Sequence, residues 1–432
     1  MPATKLKILV ISNFYPPHHI GGYELGCKEV VEALKARGHD VRVLTSIYKV
    51  GKAQMDGDVW RSLHHSLGWQ DSGYFQDLSR LLLAEWVNQK TFQRLVRSFR
   101  PDLVYVWNPK HVSMSLLALA EKIHLPICYF IFDNWLARFT PKRDHWIRMC
   151  HGDSQSLITK GSRPFLRGLA ATAGLLTSGI PKDFRYAQFA SEYLQKAAFQ
   201  SGKIVTGSKV IHWGVNPRDF HCKSKHGNSL RLLYVGRIAK EKGVHTAIEA
   251  ARILRDEHRQ ETLQLDIVGG TLQPAYLEQL RGMVRDYHLA QVVHFHDAVT
   301  RERLRSVYSD HDILIFPSIW DEPFGITLLE AMAPGMAVVG TATGGSGEIL
   351  RGEINSLVFP PDNPAACAKQ ILRIFQSRTV FDKIRHAGRQ DVEERFHLDS
   401  TIDHIEESLY AALEPRFHNH HQTLGQMSAT NA

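Results

Sequence analysis

Short apolar runs recur along the whole chain, and most of them do not alternate with polar residues. They are rich in Val, Ile, Leu and Tyr, which is typical of strands buried on both faces. We therefore predict parallel β-strands. The runs in the first half are Lys5–Ser12, Asp40–Ser46, Asp102–Asn108, Pro126–Asp133, Gly174–Gly179 and Lys209–Gly214. Those in the second half are Leu230–Gly236, Leu263–Gly269, Val292–Ala298, Asp312–Ser318, Met336–Thr341 and Ser356–Pro360.

The gaps between these runs show helical periodicity. In Glu24–Arg37, for example, Val30, Ala33 and Leu34 fall on one helical face, and Gly38 marks the end of the helix. Strands and helices that alternate in this way form βαβ units. The pattern predicts an α/β protein with doubly wound parallel sheets.

The alternation restarts at Leu230, after a polar segment that contains Pro and Gly but no periodicity. We therefore expect two Rossmann-like domains that face a central cleft, residues 1–216 and 230–395, joined by a linker at 217–229. Ligands of such sheets bind beyond the carboxyl ends of the strands, so we expect the binding and catalytic residues in the loops that follow the strands. Residues 415–432 have the composition of a disordered tail.

Two connections, Tyr48–Gln70 and Leu136–Leu169, are long for plain strand-to-helix links. The second interleaves basic and aromatic residues, which would suit an anionic membrane surface or an acidic acceptor. A family-specific insertion with a solvated basic face explains the same pattern. The residues concerned are Arg138, Phe139, Lys142, Arg143, Trp146, Arg148, Met149, Lys160, Arg163, Phe165 and Arg167.

Composition excludes several classes of protein. Of the 432 residues, 44% are hydrophobic and 22% are charged, which excludes wholesale disorder and a fibrous chain. No stretch approaches the ~20 uncharged apolar residues of a membrane-spanning helix. The apolar run in MPATKLKILVIS is too short for a signal-peptide core and predicts a first strand. Five scattered cysteines without a CxxC pair argue against a disulfide framework, so we expect a cytoplasmic protein.

The formal net charge is +8, from 52 basic and 44 acidic residues. A mild excess of this kind suits anionic small molecules or a membrane surface. It is far weaker than the basic stripe of a dedicated nucleic-acid binder, and no recognition module for nucleic acid is present. We therefore expect no nucleic-acid partner.

The first candidate binding feature is the glycine pair Gly21-Gly22, between the strand that ends at Ser12 and the first helix. Glycines let the backbone approach a ligand closely, and a helix N-terminus offers free N–H groups to an anion. The segment is not GxGxxG and lacks an acidic residue at the required spacing, which disfavours a nicotinamide dinucleotide. Taken alone, the pair fits a loop hinge equally well.

Two cations follow the strand that opens the second domain. In LRLLYVGRIAKEKG the strand ends at Gly236, Arg237 and Lys242 come next, and Gly243 precedes a helix. An arginine fork and a lysine point charge at one strand end are suited to clamp a diphosphate. Without further support, two surface cations in a loop would be an equally good interpretation.

Further support comes from EPFGITLLE, in which seven residues separate Glu322 from Glu330. Within the intervening Phe324–Thr327, Gly325 lies where a helix should begin, so neighbouring N–H groups are available to a phosphate. A carboxylate accepts two hydrogen bonds from a vicinal diol, as recognition of a ribose or hexose requires. The following GGSGE segment adds a second glycine-rich turn and Glu348.

Together these segments resemble the large retaining glycosyltransferase family 4, whose members have the two-domain GT-B fold. The resemblance covers nearly the whole chain through PPHHIGGYELG, ALKARGHDVRVLT, VIHWGVNPRDF, YVGRIAKEKG, EPFGITLLEAM and FHLDSTIDHIEESLY. The last of these segments corresponds to a helix at about 396–414, which in this fold crosses back to the N-terminal domain.

The resemblance also implies residue roles. Arg237 and Lys242 would neutralise the nucleotide diphosphate, Glu330 would bind the ribose and Glu322 the donor sugar. The first domain would bind the acceptor and the second the donor, with backbone N–H groups around Ile326 and Thr327 on a phosphate. The implied donor-binding residues are Gly21, Gly22, Gly236, Arg237, Lys242, Gly269, Phe324, Gly325, Ile326, Thr327 and Glu330.

One departure from the family pattern concerns catalysis. Many members carry a His, often followed by Asp, at the end of the fourth strand of the first domain. The segment here is YFIFDNWLA, so Phe132 stands at the position of the His and Asp133 is retained. Either Asp133 or His111, in NPKH, takes its place, or the His is dispensable. The predicted catalytic residues are Glu322, Arg237, Lys242, Asp133 and His111.

Two segments match the metal-binding DxD pattern of another glycosyltransferase fold, Asp310-His311-Asp312 and Asp56-Gly57-Asp58. The first precedes a buried strand, where we expect Asp312 to cap the preceding helix region. The second is expected in an irregular loop. Carboxylates at this spacing are common on protein surfaces, so we expect no metal at either.

The sequence thus predicts a retaining, metal-independent glycosyltransferase that needs no cofactor. The donor would be a nucleotide-diphospho-sugar, and the acceptor a hydroxyl of a glycan, a lipid-linked saccharide or a small polyol. Arg237 and Lys242 would meet the charge that develops on the leaving diphosphate without a divalent ion. Two alternatives remain open: a nucleotide-sugar epimerase of similar build and a non-catalytic nucleotide-sugar binding protein.

Overall fold

The computed structural model describes residues 4–66, 74–140, 144–151, 157–177, 183–221, 231–260 and 262–414. The chain divides into two compact units. Unit 1 comprises Met1–Ala190, Leu194–Ile211 and Ile402–Ala432, and unit 2 comprises Ser191–Tyr193 and His212–Thr401. Most of the predicted linker and the whole predicted tail lie outside the described residues, so both stay predictions.

The described part of unit 1 contains an eight-stranded sheet. Its strands are β1 Lys7–Ile11, β2 Asp40–Ser46, β3 Gln54–Asp56, β4 Val59–Leu63, β5 Leu103–Val106, β6 Ile127–Ile131, β7 Ala187–Phe189 and β8 Lys209–Val210. The strand order is β3-β4-β2-β1-β5-β6-β7-β8, and only β3 pairs antiparallel with its neighbour. Because β1 lies between β2 and β5, the chain reverses its winding direction at β1.

The helices between β1 and β8 along the chain are α1 Gly22–Ala36, α2 Tyr74–Phe99, α3 Ser115–Lys122, α4 Trp135–Arg138, α5 His145–His151, α6 Leu157–Thr172 and α7 Glu192–Gln200. The helix predicted over Glu24–Arg37 is confirmed as α1. It buries Cys27, Val30 and Leu34, and it ends before Gly38, whose φ of 93° an α-helix cannot continue.

The irregular loop expected at Asp56-Gly57-Asp58 is wrong, because regular structure occupies this part of the long connection Tyr48–Gln70. The hairpin of β3 and β4 lies within it, and Gly57, with φ of 56°, turns the chain between the two strands. All three residues of β3 are exposed, so the segment lacks the apolar pattern by which a buried strand is recognised. The strand β4 then pairs parallel with β2 and extends the sheet.

The strand predicted over Gly174–Gly179 is also wrong where the structure describes it. Residues 174–177 form a turn and a loop after α6, and Gly174 has φ of 68°. The apolar run belongs to a small hydrophobic cluster instead, in which Leu175 packs with Leu81, Trp146 and Ala170. The strand beside β6 is β7, a short segment that the sequence analysis missed.

Unit 2 contains a six-stranded, wholly parallel sheet in its described part. Its strands are β9 Arg231–Val235, β10 Gln264–Val268, β11 Val293–His296, β12 Ile313–Phe316, β13 Ala337–Gly340 and β14 Leu357–Val358, in the order β11-β10-β9-β12-β13-β14. Every residue of β12 and β13 is buried. The two parallel sheets with their helices confirm the predicted α/β class with two Rossmann-like units.

The helices after β9 along the chain are α8 Val244–Asp256, α9 Pro274–Asp286, α10 Arg301–Asp310, α11 Ile326–Met332, α12 Pro364–Gln376, α13 Arg378–Glu394 and α14 Leu398–Ala411. Three of them start at side-chain caps: Thr300, Asn363 and Ser377 each accept a backbone N–H of the first turn. Among the helices that the structure describes, none has both the length and the apolar character of a membrane-spanning segment.

The C-terminal helix α14 lies within the range predicted for it, and its residues from Ile402 onward belong to unit 1. Arg37, just beyond α1, forms ion pairs with Asp403 at 2.6 Å and Glu406 at 2.5 Å. His39 Nε2 lies 2.7 Å from a carboxylate oxygen of Glu406. These contacts attach the end of the described chain to the first helix and strand of unit 1.

Candidate functional site

Apart from Gly21 and Gly22, the predicted donor-binding residues follow strands of the unit 2 sheet, at one edge of it. The chain passes from β9 to β10 on one side and later to β12 on the other, so β9 and β12 form a topological switch point. Ligands of open α/β sheets bind beyond the carboxyl ends of the strands at such a point. The loop after β9 carries Arg237 and Lys242, and the loop after β12 carries Glu322.

Lys242 and Glu322 form the central ion pair of this edge. The Lys242 ammonium donates to both carboxylate oxygens of Glu322, at 2.7 and 2.8 Å. The side chain of Glu322 is 5% exposed and that of Lys242 is 21% exposed. A carboxylate this deeply buried depends on its partners for stability. The structure therefore brings the predicted phosphate ligand and the predicted sugar ligand into direct contact.

Backbone geometry fixes Lys242 in place. It ends a single 3₁₀ turn, Lys240–Lys242, and Gly243 follows with φ of 67°. A Cβ atom on Gly243 would lie 2.0 Å from the carbonyl oxygen of Pro317, at the end of the next strand. Only glycine fits there, so the loops after β9 and β12 touch through their backbones.

Three further contacts hold the pair of Lys242 and Glu322. Ser318 Oγ donates to Glu322 Oε1 at 2.6 Å. The Lys242 ammonium lies 5.1 Å from the ring centroid of Trp320, within cation–π distance. The backbone of Glu322 pairs with the glycine-rich turn after β13: Gly345 N–H donates to the Glu322 carbonyl at 2.7 Å.

The side chain of Arg237 is more exposed than that of Lys242. Its guanidinium is 3.2 Å from the Glu241 carboxylate, with the two side chains 50% and 34% exposed. Its carbonyl accepts a hydrogen bond from the Tyr234 hydroxyl at 2.8 Å. The strand-end glycines meet beside it, because a Cβ atom on Gly269 would lie 1.9 Å from the carbonyl oxygen of Gly236.

The helix α11 carries the rest of the predicted motif. Gly325 precedes it with φ of 119°, and Ile326 and Thr327 form its first turn. Phe324 is buried and stacks on the imidazole of His212, with ring centroids 5.7 Å apart. The position of the glycine at the start of the helix is as predicted from the sequence.

Glu330 is buried on the inner face of α11. The Tyr308 hydroxyl donates to Glu330 Oε2 at 2.9 Å, and the Arg301 guanidinium lies 3.8 Å from the other oxygen. Burial and the adjacent carboxylate of Glu330 raise the pKa of Tyr308 well above its usual value. Tyr308 therefore remains a neutral donor that orients Glu330.

Glu348 already has a set of partners. Its two oxygens accept the backbone N–H groups of Glu192 and Tyr193, each at 2.9 Å, and His212 Nε2 lies 2.8 Å away. Burial opposes ionisation, but the contacts with His212 and the two amides outweigh it and lower the pKa of Glu348. These contacts give Glu348 a structural role.

The remaining predicted residues lie in unit 1. Gly21 and Gly22 are exposed at the start of α1, where the Gly21 N–H donates to Glu24 Oε2 at 2.9 Å. Asp133 follows β6 and accepts hydrogen bonds from the Lys110 ammonium and the Trp135 N–H, each at 2.7 Å. The loops that follow β1 and β6 thus present glycine backbone and a paired carboxylate.

His111 is held in the left-handed backbone region, with φ of 65°. Its ring lies 6.4 Å from that of Phe14, in the loop after β1. Burial, then the charge of Lys110, lowers the pKa of His111, so the imidazole is neutral at pH 7. The ring of Phe132, which stands at the family His position, lies 5.7 Å from that of Tyr23.

The two DxD segments use their side chains internally. The expected helix cap at Asp312 is wrong: this carboxylate is fully buried and accepts the backbone N–H of Arg231 at 2.9 Å, which ties β12 to β9. Asp58 lies 3.3 Å from the Lys35 ammonium. Across the described ranges, no group of three or more His, Cys, Asp or Glu side chains is arranged to hold a metal ion.

Three residues of this edge were missed by the sequence analysis: Ser318, Trp320 and Tyr308. Ser318 and Trp320 lie four and two residues before Glu322, but neither residue type signals a ligand of a carboxylate or of its partner. Tyr308 lies 22 residues before Glu330, and no local pattern links the two. Only the fold brings them together.

Comparison with known proteins assigns the chain to a family. The family model described as glycosyl transferases group 1 matches residues 217–391, and the model described as glycosyl transferase 4-like domain matches residues 21–169. The two models together match about three quarters of the chain. The chain therefore belongs to the group 1 glycosyltransferases, enzymes that transfer sugars.

Relatives and solved structures share this architecture over nearly the whole chain. An uncharacterized glycosyltransferase of Methanocaldococcus jannaschii is 25% identical, with 91% of this chain and 95% of the relative covered. A glycogen synthase of Mycobacterium tuberculosis is 25% identical, with 90% and 91% covered. The crystal structure of Anabaena HepE in complex with UDP-glucose superposes with a TM-score of 0.66 at 18% identity, covering 94% and 100%. The likeness to HepE confirms the GT-B fold.

The close packing behind Glu322 predicts a specific sensitivity at Gly344. This residue has φ of 55°, and a Cβ atom on it would lie 2.6 Å from the Glu322 carbonyl oxygen. Gly344→Ala should destabilise the protein by about 1–3 kcal/mol, the cost of one strained backbone position. Calorimetry of the full chain should show a Tm lower by about 2 °C or more for the transition of unit 2.

Gly347→Ala is the matched control in the same turn, because its new Cβ would have no neighbour closer than 3.4 Å. Its Tm should stay near that of the unaltered protein. Equal Tm values for the two variants would show that the contact between the glycine turn and Glu322 is not tight.

Proposed function

We propose that the protein transfers a sugar from a nucleotide-diphospho-sugar to an acceptor hydroxyl, with retention of the anomeric configuration and without a divalent ion. The observation that carries the proposal is the edge of the unit 2 sheet. There, two cations and two buried glutamates lie at the switch point of a parallel sheet. Cations suit a diphosphate, and carboxylates suit sugar hydroxyls.

For the donor, Arg237 and Lys242 contact the diphosphate, Glu330 accepts hydrogen bonds from the ribose, and Glu322 accepts them from the transferred sugar. The support is of two kinds. The glutamates are buried and already oriented, by Tyr308 and by Ser318, and Anabaena HepE, which has the same fold, has been solved with UDP-glucose bound. Preorganised acceptors lose little freedom when a ligand binds.

The chemistry depends on stabilising the leaving group. As the bond between the sugar C1 and the diphosphate oxygen breaks, negative charge grows on the diphosphate, where Arg237 and Lys242 meet it. The acceptor oxygen forms its bond to C1 on the same face, and its proton passes to the departing phosphate oxygen. Retention is an implication of the family resemblance, and the charges of the two cations support reaction without a metal.

On the acceptor side, we propose that Asp133 or His111 orients the incoming hydroxyl. A neutral imidazole and a carboxylate are both able to accept a hydrogen bond from a hydroxyl group. The relative that is named a glycogen synthase supports a saccharide acceptor. Phe132 at the family His position favours a second candidate function, a nucleotide-sugar binding protein without turnover.

We also propose a peripheral contact with an anionic membrane through residues 136–169. On α6, Phe165 is 73% exposed and Leu169, four residues further on, is 45% exposed, so two apolar side chains face water on one side of the helix. The segment 136–169 is also rich in Arg and Lys, and a combination of apolar and basic side chains suits an anionic lipid interface. Flotation with vesicles of phosphatidylglycerol should carry the protein upward at low salt, and its absence from the vesicle fraction would contradict the contact.

The donor is testable without knowledge of the acceptor. Thermal unfolding should be followed with UDP, GDP, ADP and TDP and with their sugar conjugates, in EDTA and without added metal. One base should raise Tm, since a ligand that binds only the folded state stabilises it, by about 2.7 kcal/mol at a hundred times Kd. No shift with any member of the panel would contradict the proposed donor class. A shift without turnover toward any acceptor would favour the binding protein.

The role of the two cations predicts a kinetic effect. Arg237→Ala and Lys242→Ala should each lower kcat/KM by about 100-fold or more, the scale of one lost donor to a developing anion. Lys240→Ala is the control, because Lys240 is an exposed lysine of the same turn and has no role in the proposed site. Near-normal sugar transfer by both alanine variants would contradict the proposed role of Arg237 and Lys242 as ligands of the diphosphate.

A further inference from the structure

The ammonium that is proposed to bind the donor diphosphate already has a counter-ion. Lys242 donates to both oxygens of Glu322, and the pair is largely shielded from water. A diphosphate therefore does not meet an empty cation at this position. It has to compete with a buried carboxylate for the charge of Lys242.

The competition has a consequence for Glu322. If Lys242 turns to a phosphate, the carboxylate keeps the Ser318 hydroxyl as its side-chain donor within the described part of the chain. A buried charge that loses its partner is strongly unfavourable unless new donors replace it. The hydroxyl groups of a bound sugar supply such donors, since one carboxylate accepts from two adjacent hydroxyls.

A nucleotide sugar and the spent nucleoside diphosphate differ in this respect. Both bring a diphosphate to Lys242, but only the nucleotide sugar brings hydroxyl groups to Glu322. The free diphosphate takes the cation and leaves the carboxylate with too few donors. The buried carboxylate therefore weakens the binding of the nucleoside diphosphate product but not that of the nucleotide-sugar donor.

We propose that the Lys242–Glu322 pair discriminates between the nucleotide-sugar donor and the nucleoside diphosphate product, so that the product is released when the sugar has left. This inference rests on the proposed function, because it assumes a nucleotide sugar at this edge. It makes Glu322 a residue that determines specificity among nucleotides, besides its contact with the sugar. Ser318 is then a positioning residue for Glu322.

The neighbouring pair of Arg237 and Glu241 provides an internal contrast. It has the same combination of charges at 3.2 Å, but its side chains are 50% and 34% exposed. Water stabilises the Glu241 carboxylate whether or not Arg237 turns to a phosphate, so this pair does not discriminate. A substitution of Glu241 therefore changes the net charge at this edge of the sheet but leaves the ratio of donor affinity to product affinity unchanged.

The test is isothermal titration calorimetry of the full chain and of Glu322→Gln with UDP and with UDP-glucose. If the thermal panel selects another base, the two ligands are GDP and GDP-mannose, or ADP and ADP-glucose. In Glu322→Gln, Lys242 has no competing anion, and UDP should bind about tenfold more tightly, the scale of one close charge pair. UDP-glucose should gain less or lose affinity, because Gln accepts fewer hydrogen bonds. The affinity ratio of donor to product should therefore fall by about tenfold.

Glu241→Gln is the matched control, with the same loss of one negative charge at the same edge. It should change both affinities in the same direction and leave the ratio within about twofold, as expected of an exposed pair. Ser318→Ala is the second variant and should raise the ratio, since Glu322 then depends more on Lys242. A single cooperative unfolding transition in calorimetry confirms that each variant is folded, even where its unfolding temperature is lower.

The outcomes separate the two claims. If the unaltered protein binds none of the nucleotides, the proposed function fails, and with it this inference. If it binds the pair but Glu322→Gln binds UDP no more tightly, or keeps the original ratio, the inference fails and the proposed function stands. If Glu241→Gln shifts the ratio as much as Glu322→Gln, general charge and not the buried pair sets the preference, which also overturns the inference.

Discussion

The buried ion pair between Lys242 and Glu322 constrains the rest of the donor edge. Two opposite charges are held out of water at the switch point of a parallel sheet, and such a pair is stable only with close geometry and further hydrogen bonds. The fold supplies both. Gly243 lets the loop after β9 touch the loop after β12, and Ser318 completes the shell of the carboxylate. The packing of this edge is explained by the need to hold these two charges in place.

The order of the strands explains why the residues meet at all. Arg237 and Glu322 are 85 positions apart in the sequence, but β9 and β12 are hydrogen-bonded neighbours. Their carboxyl ends therefore open at the same edge, where a parallel sheet leaves room for a ligand. The glutamate on α11 reaches this region from a helix that follows directly, and Tyr308 on α10 orients it. A fold of this kind accommodates many substrates, so the loops determine what is bound.

Much of this could be predicted from the sequence, and the exceptions have physical causes. Strands such as β12 and β13 were predictable because every residue in them is buried and they appear as continuous apolar runs. The exposed β3 has no such run, and the apolar segment at Leu175 packs in a small cluster without forming a strand. Among the functional residues, Glu322 and Lys242 were predictable individually from motif and spacing. Their pairing was not, because it depends on which strands are neighbours and on the backbone contact at Gly243.

A crystal structure of the protein with UDP-glucose, or with the nucleotide sugar of the base that stabilises it, would show directly how Lys242 and Glu322 respond to the donor. We expect a phosphate oxygen about 3 Å from Lys242 Nζ, the distance of a charge-assisted hydrogen bond. We also expect that Glu322 has turned from the ammonium to the hydroxyl groups of the sugar. A nucleotide sugar bound elsewhere, with the contacts of 2.7 and 2.8 Å between Lys242 and Glu322 unchanged, would contradict both expectations.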